Sequence, residues 1–108
     1  MGSRLQQISD WESIGRKSKF RCADMAAYCS VSERQLERFF ISTLKERPKH
    51  WLQTLRMRAA LGMMQAGYST KAAAEELHFS GPSQFIREFK KFYKKSPQEF
   101  APVPARRV

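Results

Sequence analysis

Apolar residues recur along this 108-residue chain with the spacing of helices and hardly anywhere with that of strands. No alternation of β-branched residues runs for more than a few positions, and no Asn-Gly or Asp-Gly hairpin turn occurs, so the helical period governs throughout. Leu5, Ile8 and Trp11 mark one face of a first short helix, which the "GRKSK" stretch ends. Cys22, Met25, Ala26 and Cys29 fall at i, i+3, i+4 and i+7, the stripe of a helix that buries one side. Ser30-Val31-Ser32 breaks it, and Ser32 suits the N-cap of a helix that turns Leu36, Phe39 and Phe40 inward, with Leu44 as a further candidate. Glu33, Arg34, Glu37 and Arg38 face the other way. Pro48 opens a longer helix with Trp51, Leu52, Leu55, Ala59 and Met63 on its apolar face; it stops near "QAGYS", where Gly67 fits the C′ position. Ser69 or Thr70 caps a fifth helix that buries Ala73, Ala74 and Leu77. After the turn His78-Phe79-Ser80 comes a helix burying Phe85, Phe89 and Phe92 or Tyr93, and Pro97 starts a final turn ending at Phe100. The pattern predicts an all-α fold of about seven helices.

Two segments of this pattern are nearly the same. Ala26, Cys29, Val31 and Ser32 match Ala74, Leu77, Phe79 and Ser80 at an offset of 48. After one inserted residue, Leu36, Arg38, Phe40, Pro48 and Trp51 match Phe85, Arg87, Phe89, Pro97 and Phe100 at 49. Each copy holds a short helix with a small residue, a tight turn, and a helix with two apolar anchors four apart and an Arg midway between them. The anchors share a face and the Arg points roughly 200° away from both, toward solvent. That is the layout of a helix-turn-helix, whose second helix lies in a DNA major groove. The expected organisation is an N-terminal scar and first short helix over 1–20, a first helix-turn-helix over 21–47, and a linker helix over 48–66. A second helix-turn-helix with a final short helix takes 67–101, and a frayed tail takes 102–108. At about 1.5 Å per residue the linker spans roughly 27 Å, a suitable brace for recognition helices about 34 Å apart on one face of a duplex.

Charge points to the same partner. Twenty Lys and Arg against ten Asp and Glu leave a formal net charge of +10, an excess that draws polyanions. No secretory leader and no apolar run of membrane-spanning length occurs, so a soluble, cytoplasmic protein without a membrane partner is expected. Met1-Gly2-Ser3 reads as a cloning scar, which leaves room for a longer natural N-terminus. Cys22 and Cys29 lie roughly 10 Å apart along a helix, too far for a disulfide, and read as buried small hydrophobes. His50 and His78 have no Cys or carboxylate cluster at ligand spacing, so neither a metal nor any other cofactor is expected.

The segment "STKAAAEELHFSGPSQFIREFKKFYKKSPQEF" resembles the signature region of the AraC/XylS-type transcription regulators, and "VSERQLERFF" with "RPKHWLQTLRMRAALGMMQAG" resembles the first recognition helix and linker helix of that family. The likeness runs from Trp11 to Phe100. It implies a DNA-binding domain that is not an enzyme, with double-stranded DNA and RNA polymerase as partners. The isolated domain is expected to be monomeric and the full-length protein to include dimers. Carried over by position, the resemblance gives Arg34, Glu37 and Arg38 in the first unit and Ser83, Ile86 and Arg87 in the second as base contacts. Arginine pairs bidentately with guanine and a carboxylate accepts from cytosine N4. The expected phosphate contacts are Ser32, Lys45 and Lys49, then Ser80, Lys90, Lys91, Lys94 and Lys95. The family usually has Gly in the turn of each unit and after each recognition helix, where this chain has Ser30, His78, Lys45 and Lys94. A left-handed residue other than Gly costs on the order of 1 kcal/mol.

Other readings stay open at this stage. Glu37 equally suits a helical salt bridge to Arg34 or Arg38. Arg56 is read as joining the two units, with phosphate contact as the alternative. The lysines alternatively form a solvated face, although their clustering beside the recognition helices favours phosphate contact. The whole chain alternatively suits a protein-interaction module, or the DNA-targeting domain of a repair protein with a reactive cysteine.

Overall fold

A computed structural model describes residues 4–102; residues 1–3, expected above to be a scar, and residues 103–108 of the expected frayed tail lie outside the described residues. Six α-helices and two 3₁₀ turns form, with no strand among the described residues. They are α1 (Trp11–Lys17), α2 (Cys22–Tyr28), α3 (Glu33–Leu44), α4 (Pro48–Gln65), α5 (Thr70–Glu76) and α6 (Pro82–Tyr93), with 3₁₀ turns at Arg4–Gln7 and Pro97–Phe100. The chain divides into two compact units, Met1–Arg56 and Met57–Val108.

Unit 1 closes on Leu5, Met25, Ala26, Cys29, Leu36, Phe40 and Leu52, all buried. Trp11 and Trp51 pack against Phe40 at 5.0 and 5.5 Å between ring centroids. The expected first helix is corrected here. Leu5 belongs to a 3₁₀ turn, Ile8 lies between elements, and Trp11 opens α1, whose N-cap Asp10 accepts from the Ser13 N–H. The start of "GRKSK" is helix rather than loop, because Gly15 is buried with the side chains of Trp51, Leu52 and Leu55 directly over it. A glycine there removes the Cβ that close approach forbids, which outweighs its poor helix propensity.

Unit 2 repeats the plan. Ala73, Ala74, Leu77, Phe79, Phe85 and Phe89 are buried with Met57, Ala60 and Met64 of α4. Phe89 meets Phe100 at 5.6 Å and 64°, the counterpart of Phe40 on Trp51 at 5.5 Å and 69°. The fully buried small residues Ala26 and Ala74 occupy matching places in α2 and α5. Three expectations about faces are corrected: Leu44 is 40% exposed, while Ala59 and Met63 are only half-buried. Leu44 is the last residue of α3, next to the left-handed Lys45, and α4 uses Leu52 and Leu55 in one unit but Met57, Ala60 and Met64 in the other. A single apolar stripe therefore does not describe α4.

The repeat extends to backbone hydrogen bonds. The Val31 N–H donates to the Ala26 carbonyl (3.0 Å) and the Phe79 N–H to the Ala74 carbonyl (2.9 Å), the six-to-one bond of a Schellman turn. Its left-handed residue is Ser30 in one unit (φ 59°) and His78 in the other (φ 64°). Helices α3 and α6 end the same way, on Lys45 (φ 59°) and Lys94 (φ 65°). All four positions where the family usually places Gly are thus left-handed here with a Cβ present. Gly67 (φ 94°) fills the corresponding place after α4.

Candidate nucleic-acid interface

Helices α3 and α6 are fixed by their buried anchors, Leu36 and Phe40 on one and Phe85 and Phe89 on the other, and at the N-terminus by a glutamine. In unit 1 the Ser32 hydroxyl accepts from the Gln35 N–H (3.1 Å) and Gln35 Oε1 accepts from the Ser32 N–H (2.9 Å), a complete capping box. In unit 2 the inserted Gly81 becomes the N-cap and Pro82 the first helical residue. Gln84 still reaches back, its Oε1 accepting from the Ser80 N–H (2.6 Å) and its amide donating to Glu88 (3.1 Å). The same residue type therefore does the same task across a one-residue insertion. Gln35 and Gln84 are thereby committed to the turn.

On α3, Arg34 and Arg38 are exposed and Glu37 is half-buried. Glu37 does not pair with either arginine of its own helix. Its Oε2 accepts from Arg47 Nη1 at 2.8 Å, which corrects the helical-pair alternative: Arg47 comes from the segment between α3 and α4. Arg34, Glu37 and Lys49 line one depression together with Cys22, Glu33, Arg47 and Pro48. Arg38 is not among its lining residues. On α6, Ser83, Ile86, Arg87, Lys90 and Lys91 line a single open depression, so five expected contacts are brought together. Arg87, Lys90 and Lys91 fall at i, i+3 and i+4 on α6, a cationic stripe opposite Phe85 and Phe89, and Lys94 follows as the left-handed C-cap.

The expected phosphate contacts Ser32, Lys45, Lys49, Ser80, Lys90, Lys91, Lys94 and Lys95 are all exposed. Lys45 Nζ donates to the Ser42 carbonyl at 3.1 Å. The Arg56 guanidinium sits over the Phe20 ring, 5.9 Å from its centroid, within unit 1. Burial raises the thiol pKa of Cys22 and of Cys29, with Glu33 adding to the effect at Cys22. A raised thiol pKa lowers the share of thiolate at neutral pH; at Cys22 the Lys49 ammonium opposes the rise. Among the described residues no cluster of three or more His, Cys, Asp or Glu side chains can hold a metal ion, and no helix is long and apolar enough to cross a membrane.

Two residues at this surface escaped the reading by position. Ile41 is 44% exposed and follows Arg34 and Arg38 by seven and three positions, on their side of α3; counting outward positions finds it. Arg47 lies ten residues from Glu37 across a turn, and no local spacing signals that pair.

Comparison with known proteins agrees with this geometry. A family model described as a helix-turn-helix domain matches residues 25–102. A protein of Escherichia coli K12 named as an HTH-type transcriptional regulator, YkgA, is 28% identical over 97 residues, covering 89% of this chain and 41% of the relative. The chain thus spans about two fifths of that relative's length. An AraC-type DNA-binding domain-containing transcriptional regulator from Chromobacterium violaceum superposes with a TM-score of 0.72 at 24% identity, covering 90% of each chain. The C-terminal domain of the response regulator yesN from Fusobacterium nucleatum superposes with a TM-score of 0.77 at 18% identity, over 94% of this chain and all of that one. With the family model spanning most of its length and both units built as helix-turn-helix, the chain belongs to the AraC-type helix-turn-helix family, a family of DNA-binding domains of transcription regulators.

Proposed function

We propose that this domain binds double-stranded DNA sequence-specifically in bacterial transcription regulation, with α3 and α6 each entering the major groove at successive turns of one duplex. The observation that carries this is the doubled surface. Each unit fixes its second helix by the same anchors and glutamine brace, and each turns an arginine, Arg38 or Arg87, outward midway between buried aromatic or aliphatic anchors. Arg34, Glu37 and Arg38 in one unit and Ser83, Ile86 and Arg87 in the other are the base readers. The arginines suit guanine and Ile86 suits a thymine methyl. Ser32, Ser80 and the lysines at 45, 49, 90, 91, 94 and 95 hold phosphates, which sets register and affinity without reading sequence. The protein acts in the bacterial cytoplasm, the isolated domain is a monomer, and RNA polymerase is the further partner of the regulator that carries it.

The two halves do not read equally. Unit 1 offers two exposed arginines and a carboxylate, whereas unit 2 begins Gly-Pro-Ser and offers Arg87 with Ile86. Selection of bound duplexes from a random pool, followed by substitution of each base pair, is expected to give a sharply defined half-site under unit 1 and a looser one about 10 base pairs away. Equal costs under both units would refute the asymmetry. A pool that yields no enriched sequence would refute sequence-specific binding itself.

A further inference from the structure

Glu37 poses a problem on a surface meant for DNA. A carboxylate facing phosphates is repelled by them, yet this one stands on the outward part of α3, its side chain 43% exposed. The structure supplies a counterion from outside the helix: Arg47 Nη1 donates to Glu37 Oε2 at 2.8 Å. Arg34 and Lys49 line the same depression. The internal repeat provides a comparison within one chain. At an offset of 49 the counterpart of Glu37 is Ile86 and the counterpart of Arg47 is Ser96. Unit 2 lacks both members, and Ser96 instead donates to Glu99 (3.2 Å) to open the last turn. The carboxylate and its arginine thus occur together in one unit and are missing together from the other.

We infer that Arg47 is a specificity-positioning residue: it holds the Glu37 carboxylate in place and cancels its repulsion, so that Glu37 can read a cytosine. This rests on Glu37 being a base reader. A carboxylate has two acceptor oxygens; with Oε2 held by Arg47, Oε1 serves the cytosine N4 donor. Arg47 itself touches no base. Its side chain is 72% exposed, so its loss leaves the core intact.

The test measures binding of the wild type, Arg47→Ala, Arg47→Lys, Glu37→Gln and the double variant Glu37→Gln/Arg47→Ala. The probes are the duplex recovered from a random pool and its three alternatives at whichever base pair is most sensitive to Glu37→Gln. The wild type should discriminate there by about tenfold. Arg47→Ala should lower that ratio at least threefold, Arg47→Lys should keep most of it, and the double variant should discriminate no worse than Glu37→Gln alone. Thermal melting of Arg47→Ala close to wild type separates this from unfolding. If Arg47→Ala weakens all four duplexes by one factor while Glu37→Gln still erases discrimination, Arg47 is only a phosphate contact and the inference is overturned with the reading of Glu37 intact. If Glu37→Gln changes discrimination at no base pair, both fall together.

Discussion

Replacing Lys94 by Gly should stabilise the domain and weaken its binding to DNA at once. Lys94 sits at φ 65° and ψ 15°, its N–H donating to the Lys90 carbonyl at 2.8 Å. In this left-handed conformation a Cβ crowds the following carbonyl at a cost of about 1–2 kcal/mol. Glycine removes that cost but gives the unfolded chain more freedom, returning about 0.5–1 kcal/mol. The net gain is about 0.5–1 kcal/mol, or about 2–4 °C in melting temperature for a domain of this size. Lys94→Ala keeps the Cβ and should give no gain. Both substitutions remove the same charge, and one phosphate contact contributes about 0.9 to the slope of log K against log salt, about fivefold in affinity near 0.15 M. Thermal melting and anisotropy titrations on the same samples separate the two effects. Equal melting temperatures for the Gly and Ala variants would refute the account of strain, and unchanged affinity in both would refute the role of Lys94 at phosphate.

Gly15→Ala should destabilise unit 1, because the new Cβ would stand 2.7 Å from Leu55 Cδ2 and 3.1 Å from Leu52 Cδ2. Overpacking of about 1–3 kcal/mol, less up to about 1 kcal/mol of helix propensity, leaves roughly 1 kcal/mol, measurable by urea unfolding. Arg38→Ala should lose about 1–3 kcal/mol on the selected site and relax preference at one base position, whereas Lys90→Ala should weaken selected and random duplexes alike; equal losses on both duplexes for Arg38→Ala would exclude direct readout.

The internal repeat made most of the fold legible. Anchors such as Phe40 and Phe89 recur with their neighbours, so two copies of one unit stand out where a single copy would be an ordinary amphipathic stretch. The four left-handed positions were legible only through the family resemblance, since Ser30, His78, Lys45 and Lys94 stand where AraC/XylS-type regulators usually have Gly. The start of the chain was not. Leu5, Ile8 and Trp11 fit a helical stripe, but Asp10 caps a helix beginning at Trp11 and breaks the stripe in two. Helical α1 through Gly15 depends on Leu52 and Leu55, some 40 residues on, which no local pattern reports. On α3 and α6 the spacing predicted that Arg34, Arg38 and Arg87 turn away from the core, and all three are exposed. It missed how the polar groups are shared: Gln35 turns back to its own cap and Glu37 reaches Arg47, and each choice is settled by the turn geometry rather than by position on the helix.

The central claim is that this doubled cationic surface grips the DNA backbone, and the salt dependence of binding tests it most directly. Anisotropy titrations of the selected duplex between about 50 and 200 mM salt should give a log K that falls linearly with log salt. The six lysines assigned to phosphates set a slope of about −5. A binding constant that stays flat across that range would contradict the account.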